Sequence, residues 1–378
     1  MCGILGYSHV SNRLPFGVLD KGLEALTHRG PDHQGQFSTE ALSLGATRLR
    51  ILDMAGGDQP LLSPDRDVAV AFNGEIFNHH EIRRELEQHG YTFSTTCDTE
   101  VVLSAFLHWG PGCFARLRGM FGLAIWIESE RRLILARDQM GIKPLYYCVH
   151  QGEIFFASEL KCIFAHPEVP RHISLDGLNC FLRLNYVPAP YTLVEGIRKL
   201  LPGHMLEWQD GRFTERSYLP VGSALAAPRN IREATEELDD LLTKSVKEQL
   251  VSDVPVGIWL SGGLDSSTIL HYASKISPDP VRTFSITFHG RSFDESEPIS
   301  QMQRHYGSVH EEFNLGEDVD LEGAIRQMSY FSDEPSADAG ALPAWFLAEM
   351  TARKVTVVLS GEGSDELFAG YLTYKADR

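Results

Sequence analysis

The chain has no C-x-x-C pair. Its six cysteines, at positions 2, 97, 113, 148, 162 and 180, all fall in the first half at irregular spacings, which argues against a zinc site and gives no sign of a disulfide scaffold. Long apolar runs are missing too: no stretch reaches the roughly 18 residues of a membrane span, and the first residues lack the basic and apolar regions of a signal peptide. A reducing, cytoplasmic location is therefore expected. Positive charge is scarce, with 34 Lys+Arg against 51 Asp+Glu, a formal net charge of −17, and no basic run. That balance excludes nucleic acid and anionic membrane surfaces as first expectations, while leaving room for a small anion held by backbone amides and a metal ion. Three motifs are also lacking: the G-x-x-x-x-G-K-S/T loop, a G-x-G-x-x-G after a strand, and H-E-x-x-H. Walker-type and dinucleotide binding and metalloprotease chemistry lose their support with them. His79 and His80, on a short helix, and His305 and His310, flanking a turn, are expected to be solvated or capping.

At 378 residues and 43% hydrophobic content, the chain is too long for one ordinary core and rich enough for two. Through the first 160 residues or so, short alternating or apolar segments such as "LSLGATRLRILD", "FGLAIWIES" and "RLILARD" predict strands. "HHEIRRELEQHG" and "TEVVLSAFLHWG" predict helices closed by Gly90 and Gly110. Two layers of antiparallel sheet with helices outside fit this order, an α+β domain over residues 1–219. The small, proline-bearing stretch 220–230 reads as a linker. Beyond it a helical face carries Ile231, Ala234, Leu238, Leu241, Leu242, Val246 and Leu250. Strands and helices then alternate to the end, as in an α/β parallel-sheet domain over 231–378.

Cys2 directly follows the initiator methionine. Removal of Met1 would place an α-amine of pKa about 7.7 to 8.0 on the same residue as a thiol of pKa about 8.5, so one residue could supply both general base and nucleophile. As a small apolar residue beside an edge strand, Cys2 would need no such role. In "FNGEIFN" the Asn-Gly-Glu sequence is expected to break a strand, and Asn73 and Gly74 offer a side-chain and a backbone donor suited to an oxyanion. Arg48 and Asp98 would match the carboxylate and amine of a free amino acid. A hairpin turn at Asn73-Gly74, a surface charge at Arg48 and a helix cap at Asp98 are the plainer alternatives.

"LSGGLDSS" (Leu260 to Ser267) and "LSGEGSDE" (Leu359 to Glu366) each follow an apolar run and precede a helix. Their amides and helix N-termini can bind phosphate. Asp265 would repel a phosphate about 4 Å away by on the order of 4 kcal/mol at an effective dielectric of 20, unless Mg²⁺ lies between them.

The segments "MCGILGY", "RGPDHQG", "TRLRILD", "FNGEIFNH", "CDTEVVL", "ARDQMGIKPLYY" and "FASELK", with both glycine turns, resemble the class II glutamine amidotransferases in their asparagine synthetase form. The resemblance implies an N-terminal-nucleophile sandwich followed by an ATP-pyrophosphatase domain. It implies that Cys2 attacks glutamine, that Asn73 and Gly74 form the oxyanion hole, and that Arg48, Glu75 and Asp98 hold the amino-acid end. For ATP it implies Leu260 and Ile286 at the adenine, Ser261, Gly262, Gly263 and Ser266 at the phosphates, and Ser360 and Gly361 near the nucleotide. Asp265 and Asp365 would bind Mg²⁺, and Glu362 would assist acyl-adenylate formation. Substrates would be glutamine, aspartate and ATP, with a homodimer left open. Family members continue past the second turn, so the second domain is expected to be incomplete at Arg378. Amidation of another carboxylate, or a glutamine-binding regulatory role, are the other readings.

Overall fold

A computed structural model describes residues 2–9, 14–219, 230–288, 295–316 and 319–376. Most of the expected linker, residues 220–229, lies outside them. The chain forms two compact units. In chain order the first contains strands β1 (Gly3–Ser8), β2 (His33–Ser38), β3 (Leu42–Arg48), β4 (Leu61–Leu62), β5 (Val68–Ile76), β6 (Gly119–Ile127), β7 (Arg132–Arg137), β8 (Tyr146–His150), β9 (Glu153–Ala157), β10 (Ile197–Lys199), β11 (His204–Gln209) and β12 (Arg212–Ser217).

These strands make two sheets, ordered β10-β8-β9-β1-β3-β2 and β12-β11-β7-β6-β5-β4. Their pairs are all antiparallel. Asp210 and Gly211, both at positive φ, make a two-residue connection between β11 and β12 whose twist matches that of the strands. Ile4, Leu44 and Phe156 of one sheet and Ala71, Trp126 and Trp208 of the other share a single buried cluster, so the sheets pack face to face. Helices Val18–Leu26 and Leu160–Ile163 cover the outer face of the first sheet, and helices His79–Gln88 and Asp98–Trp109 that of the second. Each fully buried large side chain in these layers contributes about 1.5 to 3 kcal/mol.

The second unit is built on β13 (Val256–Trp259), β14 (Arg282–Thr287), β15 (Val309–Asn314) and β16 (Val357–Leu359), ordered β15-β14-β13-β16. All three pairings are parallel. The chain runs outward from β13 to β15 and returns on the other side of β13 as β16. That reversal opens a crevice at the carboxyl ends of β13 and β16, where ligands bind in such sheets.

Three expectations are corrected. Asn73-Gly74-Glu75 neither breaks a strand nor forms a hairpin turn, because β5 runs on to Ile76 with Asn73 opposite Gly122 and Gly74 opposite Phe121. His79 is buried and its Nδ1 lies 2.8 Å from the Ile76 carbonyl, so only His80 of that pair faces solvent. On helix Ile231–Gln249, Ile231, Leu238 and Leu241 are exposed, and only Val246 is buried, with Leu242 and Leu250 packed partly against the same cluster. The helix meets the core with its last turns alone. Ser329–Asp338 packs with the first unit, and the chain on either side with the second.

Candidate active sites

In the first unit Cys2 immediately precedes β1. Its thiol points at the Leu49 carbonyl, 3.9 Å away, and its own carbonyl accepts a 3.0 Å hydrogen bond from Arg29 Nε. Arg29 is in turn held by Glu159, whose Oε1 lies 2.9 Å from both Arg29 Nη1 and His28 Nε2. Burial pushes the Cys2 thiol above its ordinary pKa, with the Leu49 contact pulling the other way.

Asn73, fully buried on β5, is tied to the strand that begins at Cys2 through Ser158, whose hydroxyl accepts from Ile4 N at 3.0 Å and lies 3.4 Å from Asn73 Nδ2. The Asn73 Oδ1 has no partner among the described residues. Turning the amide over lets Oδ1 take the Ser158 hydroxyl proton and leaves Nδ2 as a donor with capacity to spare. Next to it only glycine fits: a Cβ on Gly74 would lie 2.3 Å from the Met120 carbonyl and 2.8 Å from Phe121 Cα.

Arg48, at the end of β3, is 4% exposed rather than a surface charge. Its Nη2 donates to the Leu52 and Asp53 carbonyls at 2.8 and 3.0 Å, and its Nη1 to the Gly56 carbonyl and to Asp58. The guanidinium thus braces residues 49–58 instead of presenting an open fork. Asp98 begins the helix Asp98–Trp109 and accepts a 3.0 Å bond from Ile76 N. Burial raises its pKa. Glu75 is pushed up to about 7, by burial first and then by the Asp98 charge, with Lys143 opposing. Lys143 is itself buried and its pKa is lowered, by burial first and by Arg29, while Glu75 and Cys2 pull it up.

Lys143, Arg29, Ser158 and Glu159 were not singled out from the sequence as site residues. The signal for Lys143 was a lone cation in the apolar "GIKPLYY". Two carboxyls with raised pKa and the buried Lys143 bring groups of both signs together, as recognition of an ammonium and a carboxylate on one molecule requires.

Glu75 gives a pH prediction. Its carboxyl is harder to ionise folded, at about 7, than unfolded, near 4.5, so its ionisation costs stability as pH rises through that window. Glu75→Gln is expected to raise unfolding stability by about 3 kcal/mol at pH 8 and by only about 1 kcal/mol at pH 5. Equal gains at both pH values in denaturant titrations would refute this.

In the second unit the turn after β13 starts helix Leu264–Ile276. Ser266 Oγ accepts from Ser261 N at 3.2 Å and lies 3.0 Å from Ser261 Oγ, while Ser261 Oγ accepts from Gly263 N at 3.3 Å. Gly262 is at φ 76°, and a Cβ there would lie 2.8 Å from Ile299 N. The turn after β16 packs on the first, since a Cβ on Gly361 would lie 2.8 Å from Asp265 Cβ and 2.9 Å from Ser266 N. Between the turns lies a cavity of about 280 Å³ lined by Leu260, Ser261, Asp265, Ser266, Ile286, Ser360, Gly361, Glu362 and Asp365. Of the residues expected at ATP, Gly262 and Gly263 are not in its lining and shape the turn instead. Glu295, Glu366, Tyr371 and the helix residues Pro343, Ala344 and Leu347 also line it and were not foreseen.

Five carboxylates (Asp265, Glu295, Glu362, Asp365, Glu366) and no Lys or Arg stand among these described lining residues. A polyphosphate entering alone would be repelled. Among the described residues no group of three or more His, Cys, Asp or Glu is arranged to hold a metal unaided.

Two antiparallel sheets with Cys2 at the start of one strand, and a parallel sheet with paired glycine turns, give the chain two distinct candidate centres. The model for the glutamine amidotransferase domain matches residues 1–219, and that for asparagine synthase matches residues 237–378. Glutamine-hydrolysing asparagine synthetase 1 of Bacillus subtilis is 36% identical over 99% of this chain and 60% of its own length. A putative glutamine-hydrolysing asparagine synthetase 2 of Methanocaldococcus jannaschii is 32% identical over 99% of this chain and 76% of its own. The amidase chyE of Penicillium rubens is 30% identical over the whole chain and 60% of its own length. The chain belongs to the glutamine-hydrolysing asparagine synthetase family and spans about three fifths of the length of the Bacillus relative.

Proposed function

We propose that this protein hydrolyses glutamine at Cys2 and uses the ammonia to amidate a carboxylate activated by ATP, making asparagine from aspartate. The observation that carries this reading is the presence on one chain of a cysteine centre with paired oxyanion donors and a phosphate cavity whose charge calls for a cation. The Cys2 thiolate attacks the glutamine amide carbonyl, with its own α-amine, freed by loss of Met1, as the base. Asn73 Nδ2 and the Gly74 N–H receive the oxyanion. Ammonia leaves, and water hydrolyses the thioester to glutamate. Asp98 and Glu75 face the substrate ammonium, and Arg48 acts on its carboxylate through the loop it braces.

In the cavity, Ser261, Ser266 and the backbone around Gly262 and Gly263 bind the phosphates, and Leu260 and Ile286 flank the adenine. Asp265 and Asp365 would hold Mg²⁺, which supplies charge neutralisation at the pyrophosphate. Glu362 assists attack of the acceptor carboxylate on the α-phosphorus, which expels pyrophosphate and gives an acyl-adenylate that ammonia resolves to amide and AMP. The reading extends to a cytoplasmic enzyme, with a homodimer left open, and no described helix is long and apolar enough to cross a membrane.

One observation favours a second acceptor. The helix wall of the described cavity (Pro343, Ala344, Leu347) is apolar, as an acceptor with an apolar portion would require. The deciding experiment supplies amide-¹⁵N glutamine, ATP and Mg²⁺ with and without aspartate. Asparagine labelled in its amide, with AMP and pyrophosphate in equal amount, is the expected result. Pyrophosphate formation only with a different carboxylate would transfer the reading to that acceptor.

A further inference from the structure

The stretch Ser329–Asp338 belongs by packing to the first unit, although the sequence on both sides of it belongs to the second. Its side chains reach the shell around Cys2. The Phe331 ring lies 4.7 Å from the His28 imidazole, centroid to centroid. Asp333 accepts a 2.7 Å bond from Leu160 N through Oδ2 and an ion pair of 3.0 Å from Lys161 Nζ through Oδ1. Glu334 accepts from Leu193 N at 2.9 Å and pairs with Lys199. Asp333 takes a left-handed backbone, φ 59°, which few non-glycine residues adopt and which persists where the surroundings hold it.

From Asp333 a line of alternating charges leads to the nucleophile. Lys161 is shared between Asp333 and Glu159, Glu159 binds Arg29 and His28, and Arg29 Nε holds the Cys2 carbonyl. The side chains are 6% (Asp333), 15% (Lys161), 5% (Glu159) and 9% (Arg29) exposed, so water can replace none of these partners cheaply. We propose that Asp333 is a positioning residue for the glutamine-hydrolysing centre, acting through Lys161, Glu159 and Arg29 on Cys2. The proposal rests on the glutaminase reading above.

The mechanism is a sharing of charge. With Asp333 ionised, the Lys161 ammonium divides between two carboxylates, and Glu159 keeps its bonds to Arg29 and His28. Without it, the ammonium turns wholly to Glu159, and Arg29 loosens its grip on the Cys2 backbone.

The test uses the full chain with Asp333→Asn, Asp333→Glu, Lys161→Gln and the Asp333→Asn/Lys161→Gln double variant. Glutaminase kcat is normalised to active Cys2 titrated with a diazoketone analogue of glutamine, so that loss of folded protein does not register. Asp333→Asn is expected to lower kcat about tenfold with KM within about twofold, because misplacement of the nucleophile affects the reacting geometry more than binding. Asp333→Glu should recover most of the loss, and the double variant should be no worse than the poorer single one. Wild-type kcat in Asp333→Asn, or independent, multiplicative losses in the double variant, would overturn the proposal. Should Asp333→Asn fail to fold, Lys161→Gln alone decides, a normal kcat there being equally fatal. Cys2→Ala run alongside separates the two claims: hydrolysis surviving in it sinks the glutaminase reading, whereas Cys2-dependent hydrolysis indifferent to both Asp333 and Lys161 sinks this proposal alone.

Discussion

Cys2→Ala is expected to abolish glutamine hydrolysis, by at least about 10⁴-fold, since no other group can form the acyl intermediate. The protein should still fold: Cys2 is half-buried and its thiol makes one 3.9 Å contact, to the Leu49 carbonyl. With ammonium salts at pH 8 as nitrogen donor, ATP-dependent amide formation in the full-length protein should stay within about twofold of wild type, because free ammonia bypasses the thiol. Measuring glutamate release and amide formation separately tests both halves. Residual glutamate release near the wild-type rate would remove Cys2 from the mechanism.

Asp265→Asn should act in the opposite direction. Asp265 opens the helix after the first glycine turn, lines the cavity, and touches the second turn at Gly361. Losing its charge should weaken cation binding at the phosphates and lower ATP-dependent pyrophosphate release by on the order of a thousandfold. Glutamine hydrolysis should be left within about twofold. A parallel collapse of both activities in a variant with unchanged unfolding behaviour would contradict the assignment of the two reactions to separate units.

Much of this organisation was legible in the residues themselves. The alternation in "LSLGATR" and "RLILAR" located β3 and β7, and the switch to buried strands alternating with helices after residue 250 announced the parallel sheet. The glycine turns stood out because their position between strand and helix is a local property. What escaped notice depends on partners remote in sequence. Asn-Gly reads locally as a turn, yet at 73 and 74 it lies mid-strand because Gly122 and Phe121 sit opposite. Arg48 was expected at the substrate carboxylate, with a surface charge as the alternative, and it is buried because four carbonyl and carboxylate groups of residues 52–58 close around it. Nothing near Asp333 in the sequence announces Lys161, 172 positions away (333 − 161), or the first unit to which both belong.

The burial of Cys2 also bears on oxidation. Peroxide and disulfides react with thiolates, not thiols, and burial raises the pKa not only of Cys2 but of Cys97 and Cys113, to about 12, and of Cys148, to about 11. These four thiols are therefore held in the form that oxidants attack slowly, and on the glutaminase reading Cys2 becomes vulnerable mainly during turnover, when its proton is taken. On that reading the Cys2 thiol needs no disulfide partner to stay reduced through intervals when glutamine is scarce.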